Sequence, residues 1–373
     1  MKKLTLLAIL LYIFVVFVDA IQVFLILAAN PLATFDVAIF LIQVIILTPI
    51  YIYGVKKSAD YLSSAFETVR LHKDILLPGV LVGVCIALAV SYLFIFLFVI
   101  QLLPGDSLDA IIEPSSTLNF MEPTSTEYWW SVKFFLVMMG FLTLMVVPPL
   151  MITFVRNRLS LSTIFMVKDA DDGKDPSLLK SYRKVSKKMY QDLTLLRGLL
   201  TATVFHRMGG PARIKTSKVD QIIRPIIMLT PIIAVYKNQT IKESFLESLK
   251  YYKHNFYESI FGGMFFGNMK YLVYILISIG LVSAITLSPL FLEGGLSGQA
   301  DLITIAMYDL VTIITLLSIY YIYAGTLESL ETVYFIRLFQ RQEGLPVKKV
   351  ENELVERVHR IIENNKDKIK NRL

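Results

Sequence analysis

Apolar residues in this chain gather in long unbroken runs separated by short polar gaps, with little period-2 alternation. Six runs, at 4–29, 37–54, 76–103, 129–154, 271–292 and 302–325, reach about the 20 residues that a helix needs to cross a hydrocarbon core ~30 Å thick. Lipid offers no partner to backbone amides, so each run is predicted to be an α-helix. The alternating strands of a lipid-facing barrel are missing from the sequence. The pattern predicts an all-α polytopic membrane protein. Six transmembrane helices are expected, with a short Pro-interrupted membrane-associated helix and cytoplasmic amphipathic helices.

Four regions follow from this layout. Residues 1–154 hold the first four spans with a cytoplasmic link at 55–75. Residues 155–258 form a cytoplasmic or interfacial helical insertion. Residues 259–340 hold the last two spans, and 341–373 form a cytoplasmic C-terminal helix in which Val350, Leu354, Val358, Ile361 and Ile369 stand among charges.

The insertion has its own periodicity. Asp175-Pro176 reads as an N-cap followed by proline at the first helical position. The helix it opens is expected to run on to Gly209-Gly210. It would place Leu178, Tyr182, Val185, Met189, Leu193, Leu196 and Leu200 on one face, with Lys180, Arg183, Lys184, Lys187 and Lys188 on the other. Such a basic amphipathic helix fits an anionic membrane surface or the flank of another cytoplasmic helix, and both readings stay open. Residues 222–236 are apolar but short and carry Pro225 and Pro231. Crossing there would invert the last two spans, so a half-inserted or interfacial helix is predicted. Thr240 and Glu243 have the spacing of a capping box. The helix behind them would present Ile241, Phe245, Leu249, Tyr252 and Phe256 on one face.

Charge fixes the sidedness. None of the 37 Lys and Arg residues falls in 30–35, 104–128 or 294–301. Asp106, Asp109, Glu113, Glu122 and Glu127 occupy the second of these gaps, and Glu293 borders the third. Positive charge collects on the cytoplasmic side of multi-pass proteins. A cell-membrane location with both termini in the cytoplasm follows. The opening Met1-Lys2-Lys3 resembles a signal peptide, but its apolar run continues to Ala29, which favours a retained span.

Composition agrees, with 55% hydrophobic residues and a mean hydropathy of +0.60. The net charge of +7 sits in the cytoplasmic segments and needs no nucleic acid to explain it. Expected partners are the lipid bilayer, anionic headgroups among them, and a protein on the cytoplasmic side.

Candidate chemistry is sparse. Cys85 is the sole cysteine, so no intramolecular disulfide or cysteine-based metal site is expected. The histidines His72, His206, His254 and His359 lack ligand spacing. The aspartates around Gly173 do not make a calcium loop, because Lys174 and Lys180 stand where Gly and Glu are required. No catalytic motif, cofactor or metal is expected. Gly79, Gly83 and Ala87, and likewise Gly263 and Gly267, recur four apart, a spacing suited to close helix packing.

Three ionisable residues fall inside the runs. At 1.5 Å per residue, Asp19 lies ~7 Å, Lys133 ~6 Å and Asp309 ~12 Å below the outer face. A charge in hydrocarbon costs at least ~2.5–3.5 kcal/mol on insertion scales, so these groups are expected to face the bundle interior. Pairing of Lys133 with Asp309 or Asp19 would leave one carboxylate as a proton or cation site. Alternatively Lys133 snorkels to the surface and nothing is transported.

From Pro231 a further pattern emerges. Four apolar residues lead to a short polar turn, then Ser244-Phe245-x-x-Ser248, and Asn255 after Lys253. The segment resembles one in multi-pass families similar to the membrane domain of glycerophosphodiester phosphodiesterases. The resemblance implies a Pro-apolar half-helix feeding a short helix just before a span; the membrane domain of those families is not the phosphodiesterase, and no separate catalytic domain is expected here. Here Tyr236 stands at a frequently acidic position and Ser244 at a frequent alanine. The expected function is a non-enzymatic membrane scaffold or partner-binding subunit. A transporter or channel with an intramembrane Asp/Lys site is the alternative.

Overall fold

The computed structural model describes residues 2–29, 34–102, 126–207, 213–295 and 302–345. Within these residues every regular element is helical. The elements are α1 (Lys2–Ala29), α2 (Thr34–Leu71), a 3-10 turn (Lys73–Leu76), α3 (Leu77–Leu102), α4 (Thr126–Asp171), α5 (Leu178–Lys184), α6 (Lys187–Arg207), α7 (Arg213–Lys237), α8 (Ile241–His254), α9 (Phe256–Gly295) and α10 (Leu302–Gln342). Five stretches among them, Leu4–Leu25, Phe40–Leu71, Lys73–Val99, Phe256–Thr286 and Ala306–Gln342, are long and apolar enough to cross a membrane. The fourth predicted run forms part of α4. Residues 104–125 of the acidic 104–128 gap, Gly209-Gly210 and the C-terminal helix at 350–369 lie outside the described residues.

The chain divides into two compact units. The first comprises Met1–Pro78, Ser160–Met269 and Leu327–Leu373, and the second Gly79–Leu159 and Lys270–Thr326.

In the second unit, small residues set the helix spacing. A Cβ on Gly83 would collide with the Tyr321 carbonyl oxygen, and one on Gly325 with the Gly79 carbonyl oxygen. Backbones of α3 and α10 therefore touch directly, an approach that only residues as small as glycine permit. Of the glycine-spaced residues named above, Gly79 and Gly83 make this contact.

The first unit is built around α7. Leu229, Thr230, Ile232, Ile233 and Ala234 are at most 1% exposed. The sequence predicts an interrupted interfacial helix here; the structure instead runs one unbroken helix through Pro225 and Pro231 and buries it in protein. Proline costs a hydrogen bond in a helix interior, a loss that tertiary packing can override. The Thr230 hydroxyl donates to the Ile226 carbonyl, 2.8 Å away, beside Pro231. Asn238 ends the helix in the left-handed region (φ 52°), and the Gln239 amide closes back onto the Ala234 carbonyl at 3.1 Å.

Two further expectations change. The single helix predicted after Asp175-Pro176 starts later, at Leu178, and is two helices. Val185 takes an extended conformation (ψ 110°), and the Ser186 hydroxyl caps α6 by accepting the Met189 amide. The break lets Val185 and Leu193 both reach the core, at 3% and 0% exposure. In α8 the capping box forms as expected, with Thr240 Oγ1 accepting the Glu243 amide and Glu243 Oε2 accepting the Thr240 amide. Its buried face, however, is Ile241, Ser244, Ser248 and Tyr251, rotated by roughly a quarter turn from the predicted apolar stripe. Serines are small enough to let α8 lie close on α7, which bulky Phe245 and Leu249 would prevent.

Candidate functional site

Ionisable and amide groups from four helices of the first unit converge in one buried layer. Arg337 on α10 is its hub. Its Nη1 donates to Asp171 Oδ1 at 2.7 Å and to Gln340 Oε1 at 2.6 Å; its Nε and Nη2 donate to Thr68 Oγ1 at 3.2 and 2.8 Å. Thr68, on α2, passes its own proton to the Ser64 carbonyl at 2.8 Å. Asp171, at the end of α4, accepts from Gln340 Nε2 at 2.6 Å and from the Tyr236 hydroxyl at 3.2 Å. Tyr236 closes α7.

A guanidinium left unpaired in such surroundings would be severely destabilising, whereas a filled network fixes the relative positions of its helices. Burial, with the Asp171 carboxylate adding to it, drives the Tyr236 phenol well above its ordinary pKa, so it stays a proton donor to Asp171. Lys168 donates to the Val235 carbonyl at 3.2 Å and lies over the Tyr236 ring, 5.4 Å from its centroid.

Charged pairs surround this hub. Arg224 Nε meets Glu331 Oε1 at 2.6 Å, with the glutamate side chain fully buried. Lys237 bridges Glu247 at 2.5 Å and Glu343 at 2.9 Å. Burial pulls the Lys237 ammonium down, but those two carboxylates outweigh it and hold the group above the ordinary lysine range. Lys184 pairs with Asp169 at 2.6 Å.

The residues singled out from the sequence distribute as follows. Pro231 lies inside buried α7, and Ser244 is fully buried on α8. The Ser248 hydroxyl lies 3.0 Å from Thr230 Oγ1 and 2.8 Å from the Phe245 carbonyl. Asn255 caps α8 and donates through Nδ2 to Gln342 Oε1. Phe245 is half-buried. Of the five basic residues, Lys180, Arg183, Lys187 and Lys188 are exposed, while Lys184 is engaged by Asp169.

Asp19 belongs to the first unit, and Lys133 and Asp309 to the second. The side chain of Lys133 lies outside the described residues. Asp309 Oδ1 is a buried atom with no hydrogen-bond partner. Among the described residues no cluster of three or more His, Cys, Asp or Glu could hold a metal ion.

Sequence reasoning missed the Arg337–Asp171–Gln340–Tyr236–Thr68 layer. Arg337 and Gln340 sit three apart near the end of an apolar helix, and polar groups in that setting were the available signal. The class these observations define is an all-helical protein with helices long and apolar enough to span a membrane. Compared with protein-family models, curated proteins and solved structures, the chain matches none of them.

Proposed function

We propose that the chain is a non-enzymatic integral membrane protein of the cell membrane, crossing six times with both termini in the cytoplasm and serving as a scaffold or partner-binding subunit. The closed hydrogen-bond layer around Arg337 supports this reading above all. It spends buried charge on holding α2, α4, α7 and α10 together, which makes a rigid platform. The partner surface is the exposed side of α5 and α6. There Leu179 and Leu195 are 61% and 65% exposed, beside Lys180, Arg183, Lys187 and Lys188. Isolated apolar side chains amid basic ones suit an acidic protein surface with a few apolar anchors. The likeness of the Pro231–Asn255 segment to phosphodiesterase membrane-domain families fits a non-catalytic role of this kind.

Photo-crosslinking from position 195 in native membranes tests the reading. A scaffold gives one reproducible heteromeric product that Leu179→Asp removes; failure to obtain one contradicts it. The transport alternative rests on the unpartnered Asp309 Oδ1. It requires proton or cation flux in proteoliposomes that Asp309→Asn abolishes, and the scaffold reading expects flux no greater than in protein-free vesicles.

A further inference from the structure

Helix α8 buries Ser244 and Ser248 with Ile241 and Tyr251, and leaves other apolar residues outside. Leu246 is 60% exposed, Leu249 39% and Phe256, just past the helix, 37%. Lys242, Lys250 and Lys253 share that outer side and are all exposed. The acids of the helix are engaged elsewhere, Glu243 in the capping box and Glu247 with Lys237. The outer face is therefore apolar and cationic at once, with no neutralising carboxylate of its own.

A second observation fixes where this face ends. On α2, the exposed apolar residues Leu41, Ile42, Ile45, Ile46 and Ile52 give way at Tyr53 to the exposed Lys56 and Lys57. Tyr257, two residues past Asn255, meets Tyr53 edge-on with ring centroids 4.7 Å apart. Lys57 Nζ lies 5.0 Å from the Tyr53 centroid and 6.0 Å from that of Tyr257. Aromatic and basic side chains gathered where an apolar surface stops are the mark of a membrane–water boundary.

We infer that the outer face of α8 lies in the anionic headgroup layer, with Leu246, Leu249 and Phe256 at the acyl boundary and Lys242, Lys250 and Lys253 on lipid phosphates and carboxylates. Amphipathic helices bind bilayers through this combination of buried apolar area and attraction to anionic lipid. The rotation of the helix then has a cause: it turns Leu249 and Phe256 of the predicted stripe, together with Leu246, toward lipid.

The inference rests on the membrane reading, so its test carries a control for that reading. Full-length protein in a Cys85→Ala background is labelled with bimane at Leu246→Cys, Leu249→Cys or Ile45→Cys. It is then placed in nanodiscs of phosphatidylcholine, with or without phosphatidylserine, containing lipid brominated in its acyl chains. Position 45 reports the span itself. Quenching at 246 and 249, stronger with phosphatidylserine, is expected. The triple change Lys242→Glu, Lys250→Glu and Lys253→Glu should remove the phosphatidylserine increment. Quenching at 45 with none at 246 and 249 overturns the inference alone; no quenching at any position overturns the membrane reading too. Shielding of 246 that appears only on adding cytosolic protein assigns the face to a protein and equally overturns it.

Discussion

Arg337 and Asp171 meet at 2.7 Å although 166 residues separate them, and their side chains are only 6% and 18% exposed. The pair ties the end of α4 to the end of α10. Removing one member of a buried pair strands the other, at a cost of about 3–5 kcal/mol. Arg337→Met should therefore lower the stability of the detergent-solubilised protein by that order in chemical denaturation. Arg337→Met combined with Asp171→Leu should cost less than the sum of the two single changes. Additive losses would show that the pair does not couple the helices.

The two serines of α8 should behave oppositely. The Ser248 hydroxyl donates to the Phe245 carbonyl and lies 3.0 Å from Thr230 Oγ1, so Ser248→Ala should cost about 0.5–1.5 kcal/mol. The Ser244 hydroxyl is buried without a partner, so Ser244→Ala should be neutral or stabilising. Ser244→Leu should cost about 1–3 kcal/mol by overpacking the α7–α8 contact. Thermal melts of the three variants under identical conditions decide the order.

In the second unit, Gly83→Ala should destabilise, because its Cβ meets the backbone of Tyr321 and Ile322, which cannot give way as a flexible side chain can. Gly280→Ala is the matched control. Its nearest neighbour would be Leu316 Cδ1 at 3.8 Å, an ordinary contact, and alanine favours the helix by roughly 1 kcal/mol over glycine. A lower melting temperature for the first and an equal or higher one for the second is expected.

Alkaline pH should report on Tyr236. Its folded pKa is raised above the unfolded value of about 10, so its contribution is fully present below pH ~10 and is lost as pH climbs from there toward the folded pKa. Tyr236→Phe should flatten the stability–pH curve in that alkaline window relative to the unaltered protein. At neutral pH the same variant loses the bond to Asp171. Identical alkaline slopes for the two proteins would contradict the buried phenol.

Helical content and the long apolar helices were legible in the sequence because apolar run length is a local property. The capping box at Thr240 was legible for the same reason, since its partners are three residues apart. What escaped depends on distant chain. The proline-bearing segment at 222–236 reads as interrupted, yet burial on every side of Ile232 and Ile233 keeps it helical. The break at Val185 lies within a continuous 3.6-residue pattern and arises because Val185 and Leu193 both reach the core. The orientation of α8 follows from how closely α7 approaches, which Ser244 and Ser248 permit and hydropathy does not register. The Arg337 layer joins residues from Thr68 to Gln340, and no spacing along the chain announces it.

Sidedness is the central claim, and cysteine accessibility on intact cells tests it most directly. In a Cys85→Ala background, Ser116→Cys should react with a membrane-impermeant maleimide, whereas Lys188→Cys should react only after permeabilisation. Reaction at both positions on intact cells would contradict the placement of basic segments in the cytoplasm, and with it the platform built around Arg337.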